Sequence, residues 1–289
     1  MTLPPAPDPD HLADECLEIA ALEHVQPGAV EKDFHLTRLI WGLAEACGDT
    51  LLLKGGTCLS KIDLGYHRMS EDADFVIPWK GSLRYRSTNS YYVNRIRDVL
   101  RELAPRLGMH FPNPEGERLG RNSHAIWDIH YDGRFPPATI TIEVSMRPVL
   151  RPARRTPLRQ LLRGILANGY SDAYCWALDA DEVRAEKVRA AYTRHDPEIR
   201  DYFDLALLAD RGADFTSESF IQLVDQKLAE SRRESLAQMP PSFGLTATQR
   251  EMLAGRGLIR LMSVLRTDEP PLDLESILER FDTIWNKTR

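Results

Sequence analysis

A chain of 289 residues, 43% hydrophobic and 28% charged, has material for one large domain or two modest ones and the balance of an ordinary soluble globular protein. No apolar run approaches membrane-spanning length, the opening MTLPPAPDPD lacks a basic-then-apolar signal segment, and four scattered cysteines (Cys16, Cys47, Cys58, Cys175) exclude a disulfide scaffold or paired zinc ligands and suit a reducing cytoplasm. The formal charge of −6 gives no global sign of nucleic-acid binding, yet the charge is uneven.

In chain order, residues 11 to 47 read as helix, most clearly where Val30, Phe34, Leu36, Leu39, Ile40, Leu43 and Ala44 recur at helical spacing, with Gly48 and Asp49 as the stop. Leu51–Leu53 is a short buried strand ending at Lys54, followed by a Gly55–Gly56 turn and a helix capped by Thr57 that runs toward Leu64. Ala73–Ile77 is the next strand, closed by Pro78, and Tyr91–Leu107 is helical in pattern. Residues 112 to 122 are turn-rich; Ile126–Tyr131 and Thr139–Ser145 read as hairpin strands around DGRFPP. After Pro148 the apolar spacing is helical and no convincing strand remains. The expected fold class is therefore α/β (α+β): a mixed-sheet N-terminal lobe over residues 1–150, then a mainly helical lobe over 151–289.

Asp72 and Asp74 stand two positions apart, so a strand points both carboxylates to one face. Two like charges held together favour a shared cation, and an all-oxygen set suits Mg²⁺ or Mn²⁺, which accept substrate phosphates as remaining ligands. The bland alternative is a pair of exposed strand-end acids. In TITIEVS, residues 139–145, Thr139, Thr141, Glu143 and Ser145 alternate with Ile140, Ile142 and Val144, so Glu143 occupies a polar face where it could join the pair. Three carboxylates can hold two metal ions that clamp the attacking and leaving oxygens of a phosphoryl transfer. The strand, Gly55–Gly56 turn and helix start would bring backbone N–H groups close to phosphate; Lys54 or Lys61 could add a cation, and Thr57 and Ser60 hydroxyl contacts. The spacing is not that of a Walker P-loop.

Between Val144 and Ser171 there is no acid, while Arg147, Arg151, Arg154, Arg155, Arg159 and Arg163 all occur. Such a block is either a solvated face paired with acids elsewhere or a surface for a polyanion, a nucleoside triphosphate or an RNA backbone.

Taken together, KGGTCLSK…HRMSEDADF, the later RAEKVRAAYTRHDPEIRDYFDLALL and the earlier VEKDFHLTRLI resemble the AbiEii family of nucleotidyltransferase toxins, including its MenT-like members, within the DNA polymerase β-type nucleotidyltransferase superfamily. The resemblance spans about residues 30 to 210. It implies a nucleotidyltransferase-fold lobe, metal binding by Asp72 and Asp74, and service of the active site by Lys187 and Asp204. Members commonly carry Asp on the third strand, where Glu143 stands here. It also implies NTP as co-substrate, the tRNA 3′ end as acceptor, arrest of translation and growth, and an antitoxin encoded alongside. From the residues alone, Arg200, Asp201 and Asp204 share a helix face, and an intrahelical pair such as Glu186 with Arg189 is the structural alternative for this block.

The function so read is transfer of a nucleoside monophosphate from NTP to RNA in the cytoplasm, with Lys54, Gly55, Gly56, Thr57, Ser70 and Lys187 around the nucleotide and the arginine block on the RNA. Ser70, two residues before Asp72, would share its face on a continuing strand, where a phosphate would compete with the nucleotide. Two alternatives stay open: a small-molecule nucleotidyltransferase of the antibiotic-modifying kind, and a nucleotide-binding regulatory protein without transfer activity.

Overall fold

The computed structural model describes residues 7–79, 86–136, 138–162, 172–234, 247–266 and 273–279. They fall into two compact units, Met1–Asp179 and Ala180–Arg289. Arg163 lies outside the described residues.

In the first unit, the expected long helix is two: α1 (Pro9–Glu23) and α2 (Pro27–Cys47). The break has a local cause. His24 caps α1 in the left-handed region at φ 54°, Gln26 is extended, and Pro27, which has no N–H to donate, starts α2. Gly48, at φ 58°, ends α2 as the sequence predicts. Strand β1 (Leu52–Leu53) leads into α3 (Gly55–Cys58), which continues as a π-helical turn over Leu59–Asp63. Then follow β2 (Asp72–Pro78), α4 (Arg86–Arg106), β3 (Met109–His110), β4 (Glu117–Leu119), β5 (His124–Tyr131) and β6 (Thr139–Arg147).

Two further strands, β7 (Arg154–Pro157) and β8 (Tyr174–Ala177), correct the expectation that none follows Pro148. Each has four residues, too few for a periodic signal, and β7 is an arginine-rich edge strand ending in proline. The described strands form one mixed sheet in the order β3-β5-β6-β2-β1-β8-β7, with β4 beside β5. β2 runs parallel to β6 and β1 parallel to β8, while β5 and β6 make the expected antiparallel pair.

The sheet has one buried and one open face. Ala73, Phe75, Ile77, Ala125, Trp127, Ile129, Ile140, Ile142 and Val144 are all buried. α2 packs on β2, β6 and β8 and against α4; it is buried nearly all round, as a central helix should be. On the other face of β5, His124 and Ile126 are half-buried and Asp128 and His130 exposed. The strand alternation thus leaves a polar surface across β5 and the first halves of β6 and β2, covered further along at Ser145 and Val76.

α2 also carries His35, buried and stacked on Tyr131 with ring centroids 4.1 Å apart. Among the described residues neither ring nitrogen has a hydrogen-bond partner. Burial, helped by the nearby Arg38 charge, lowers its pKa from 6.5 to about 3. The unfolded chain takes up this proton near pH 6.5 and the folded one refuses it until about 3. Stability from this group is therefore complete above 6.5 and lost as the pH falls below it.

The described residues of the second unit include α5 (Ala180–Thr193), α6 (Ile199–Asp210), α7 (Glu218–Glu234), α8 (Ala247–Met252) and α9 (Leu258–Met262). α5 packs on α6 and α7. Lys227 of α7, 1% exposed, lies 2.6 Å from Glu182 and 3.2 Å from Glu186 of α5. Burial pulls its pKa down, but Glu186, Glu182 and Glu230 outweigh that and hold it above the ordinary value.

Two outcomes follow from these buried groups. Lys227→Met removes the ammonium from Glu182 and should cost about 3–5 kcal/mol in urea unfolding, most of it recovered in Lys227→Met/Glu182→Met; a cost below about 1 kcal/mol contradicts the account. For His35→Phe, the decline of unfolding free energy between pH 6 and 4 should be shallower than in wild type by about 1.4 kcal/mol per pH unit. An identical slope would show that His35 does not resist protonation.

Candidate active site

The parallel pairing of β2 with β6 sets Asp72 beside Thr141 and Asp74 beside Glu143. Laterally paired residues share a face, so Asp72, Asp74 and Glu143 all project from the open side of the sheet, while Ala73, Phe75 and Val144 fill the core. Acids about seventy residues apart in sequence thus share one face of the sheet. Like charges set directly opposite one another repel. Lys54 relieves this: its Nζ lies 3.9 Å from Asp74 Oδ1 and 3.6 Å from Glu143 Oε1. His124 of β5 approaches from the other side, its Nε2 3.3 Å from Glu143 Oε1. No histidine is assigned by sequence reasoning. The signal available is the alternation of HAIWDIHY, which puts His124 on the polar face once the strand is started two residues earlier.

Lys54 is placed by its backbone, whose N–H donates to the Asp74 carbonyl at 2.9 Å. Immediately after it, Gly55 has φ +71°, and a Cβ there would fall 2.3 Å from Asp74 Oδ2. The position demands glycine twice over: a left-handed backbone, and no side chain where a carboxylate passes. A Cβ on Gly56 would likewise lie 2.4 Å from the guanidinium of Arg68, a residue 3% exposed.

Thr57 does not cap α3 as expected; Lys54 occupies the cap position. The Thr57 hydroxyl is instead 2.5 Å from Ser70 Oγ and donates to the Asp72 carbonyl. Thr57 and Ser70 therefore brace the start of β2. Ser70 precedes the strand, which begins at Asp72, so it does not continue the strand face. Ser60 Oγ donates to the Gly56 carbonyl at 3.0 Å.

Lys61 is no phosphate contact. It is 0% exposed, its Nζ 2.5 Å from Asp33 Oδ1 and 2.7 Å from Thr37 Oγ1. Burial lowers its pKa against the opposing pull of Asp33. Asp33 also accepts from Tyr66 and from the Leu161 N–H, so this network ties the segment after β7 to α2.

The arginines divide. Arg147 pairs with Pro78 and, four residues on from Glu143, shares its face. Arg154 is held by Asp63 at 2.7 Å and by the Leu178 carbonyl. Arg155 is exposed, and its guanidinium carbon is 3.5 Å from the centroid of Tyr174. Arg151 is half-buried between β6 and β7, and Arg159 is exposed just beyond β7.

In the second unit, Lys187 of α5 is 7% exposed and bridges two carboxylates of α6, Asp201 at 2.7 Å and Asp204 at 2.8 Å. Arg194 also reaches Asp201, at 2.9 Å. Spacing of three puts Asp201 and Asp204 on one helix face, where a single ammonium satisfies both. The Glu186–Arg189 pair is present as well, at 2.7 Å.

The donor set of Asp72, Asp74 and Glu143 is all oxygen, the chemistry that Mg²⁺ or Mn²⁺ prefers. Among the described residues no group of three His, Cys, Asp or Glu side chains closes into a preformed cage. The cluster instead has a protein cation, Lys54, between Asp74 and Glu143. Such an open set fits an ion that draws its remaining ligands from water and substrate phosphate. A separate cavity of about 310 Å³ lies at the far end of β2, lined by Ile77, Pro78, Tyr92 and Arg95.

Paired acids on one strand, a third on its neighbour and a glycine turn against them set an all-oxygen group beside a backbone free of side chains. The sequence matches the family described as "Nucleotidyl transferase AbiEii toxin, Type IV TA system" over residues 39–287, and the chain belongs to that family. It is accordingly an NTP-dependent nucleotidyltransferase of a toxin–antitoxin system, which implies an antitoxin partner. Among solved structures it is similar to MenT4, a nucleotidyltransferase toxin of Mycobacterium tuberculosis H37Rv, with TM-score 0.64 and 20% identity over 97% of this chain and 90% of that one. A second, JHP933 from Helicobacter pylori, aligns with TM-score 0.48 and 15% identity over 91% of this chain and 94% of that one. No curated protein matches. No helix among the described residues is long and apolar enough to cross a membrane.

Gly55→Ala should push Asp74 out of place and lower nucleotidyl transfer about 100-fold or more, with the fold retained by circular dichroism. Transfer within threefold of wild type would mean that the glycine contact does not position the carboxylate.

Proposed function

We propose that this protein transfers a nucleoside monophosphate from NTP to the 3′-hydroxyl of RNA, with the tRNA acceptor end as substrate, and so arrests translation. The observation that carries the site assignment is the register that seats Glu143 next to Asp74 on an open sheet face. A divalent ion held by Asp72, Asp74 and Glu143 would neutralise charge at the α-phosphate and lower the pKa of the attacking hydroxyl.

The chain's own groups do the rest. The acceptor oxygen forms a bond to the α-phosphorus, the bond to the bridging oxygen of pyrophosphate breaks, and Glu143 is the proposed acceptor of the hydroxyl proton. Lys54, once the carboxylates are otherwise neutralised, supplies a cation for the triphosphate. The Gly55–Gly56 backbone lets phosphate approach without side-chain obstruction, with Thr57 and Ser70 fixing the turn against β2. Lys187, oriented by Asp201 and Asp204, is proposed to serve the same reaction as a phosphate-binding charge. Positioning and electrostatics are most of what phosphoryl transfer needs.

Arg147, Arg151, Arg155 and Arg159 are the proposed contacts to RNA; Arg154, neutralised by Asp63, contributes less charge and mainly anchors the strand. The proposed setting is the cytoplasm, where tRNA and a neighbouring antitoxin would be met.

Incubation with each labelled NTP, Mg²⁺ and total tRNA tests this reading. Wild type should label tRNA with one or more NTPs, and Asp72→Ala should fall to about one-hundredth or less. Growth inhibition retained by Asp72→Ala, or label carried by small molecules and not RNA, would overturn it.

A further inference from the structure

Beyond the carboxylates this face is covered at Val76 and Leu52, 2% and 0% exposed, and accessible side chains return on it at β8 and β7. Leu53 of β1 pairs with Phe75 of β2 and with Ala177 of β8, and all three lie on the buried face. Trp176 and Tyr174, one and three residues from Ala177, therefore project from the face that carries Asp72, Asp74 and Glu143. So does Arg155, which pairs with Trp176 across β7 and β8. Burial agrees: Cys175 and Ala177 are 1% and 0% exposed, whereas Tyr174 and Trp176 are half-buried and Arg155 is exposed. With strands about 4.8 Å apart and about 3.3 Å per residue, Trp176 lies about 12 Å and Tyr174 about 16 Å across the sheet from Asp74.

The side chains are arranged for stacking. The Arg155 guanidinium carbon is 3.5 Å from the Tyr174 centroid, so the planar cation lies on the ring, and the residue is exposed. Trp176 is the cross-strand neighbour of that arginine. Neither RRTP of β7 nor YCWA of β8 contains an acid. Arginine planes and aromatic rings are what unstacked bases bind.

We propose that Arg155, Tyr174 and Trp176 form a stacking platform for the unpaired bases of a single-stranded RNA end whose terminal hydroxyl reacts at the carboxylates. This rests on the reading of RNA as acceptor. A duplex hides its base faces, so it cannot use such a platform. The base of the reacting NTP is also a poor fit, because about 12 to 16 Å corresponds to roughly four stacked nucleotides at about 3.4 Å each.

Fluorescence anisotropy with the full chain tests this, using a labelled single-stranded oligoribonucleotide and a blunt RNA duplex of the same sequence. Tyr174→Ala and Arg155→Lys should each weaken single-strand binding about 5- to 100-fold and duplex binding less than twofold, while Tyr174→Phe, which keeps the ring, binds like wild type. Arg155→Lys preserves the charge and removes only the plane, and as a change at an exposed site it carries the test should Tyr174→Ala not fold. Single-strand affinity unchanged in Arg155→Lys, or equal losses on both RNAs, overturns the platform alone. Wild-type protein that binds neither RNA overturns the acceptor reading and the platform with it.

Discussion

The site depends on the register between β2 and β6. Parallel pairing of Asp74 with Glu143 places two carboxylates side by side on an open face, with Asp72 two residues away on the same face. Such an arrangement costs stability by itself, because like charges across adjacent strands repel. The register is held by what lies beneath: Ala73, Phe75, Ile77, Ile142 and Val144 are buried on the core face of two strands that α2 packs on, and a slip of one residue would turn that apolar set to solvent. Core packing thus enforces an electrostatic arrangement that the carboxylates alone would not choose.

Lys54 is the counterpart of that constraint. Its distances of 3.6 and 3.9 Å to Glu143 and Asp74 are longer than a tight charge-assisted hydrogen bond, so the ammonium is centred between the two acids and bound closely to neither. A cation held that way can be exchanged. Gly55 completes the design by letting β1 turn away directly beneath the Asp74 carboxylate, which no larger residue could do. In the second unit the same economy recurs: Lys187 answers Asp201 and Asp204, and Lys227 answers Glu182 and Glu186. The second pair is nearly inaccessible and structural, whereas Lys187 retains some exposure at 7%.

Much of this was readable from residue order. Alternation in TITIEVS and the two-residue spacing of Asp72 and Asp74 suffice to put all three acids on polar faces, and the AbiEii-like blocks name the chemistry. Which strands are neighbours is not a local property, so only the fold could show that β2 and β6 touch. Short elements escaped for the same reason. Four-residue β7 and β8 have no period to detect, and their strand state comes from pairing with each other and with β1. Thr57 looked like a helix cap because its residue type is right; its hydroxyl was claimed by Ser70 and the Asp72 carbonyl, partners that arrive from another segment. Lys61, by its place after the glycine turn, reads as a candidate cation for phosphate, and only the arrival of Asp33 and Thr37 from α2 makes it a buried structural lysine.

The most direct measurement of the central claim is a crystal structure with Mn²⁺ and a non-hydrolysable NTP analogue, phased for the anomalous signal of the metal. The account requires that signal between Asp72, Asp74 and Glu143, with the Lys54 ammonium moved off the carboxylates toward the triphosphate. Metal and triphosphate bound elsewhere, with Lys54 still lodged between Asp74 and Glu143, would contradict it.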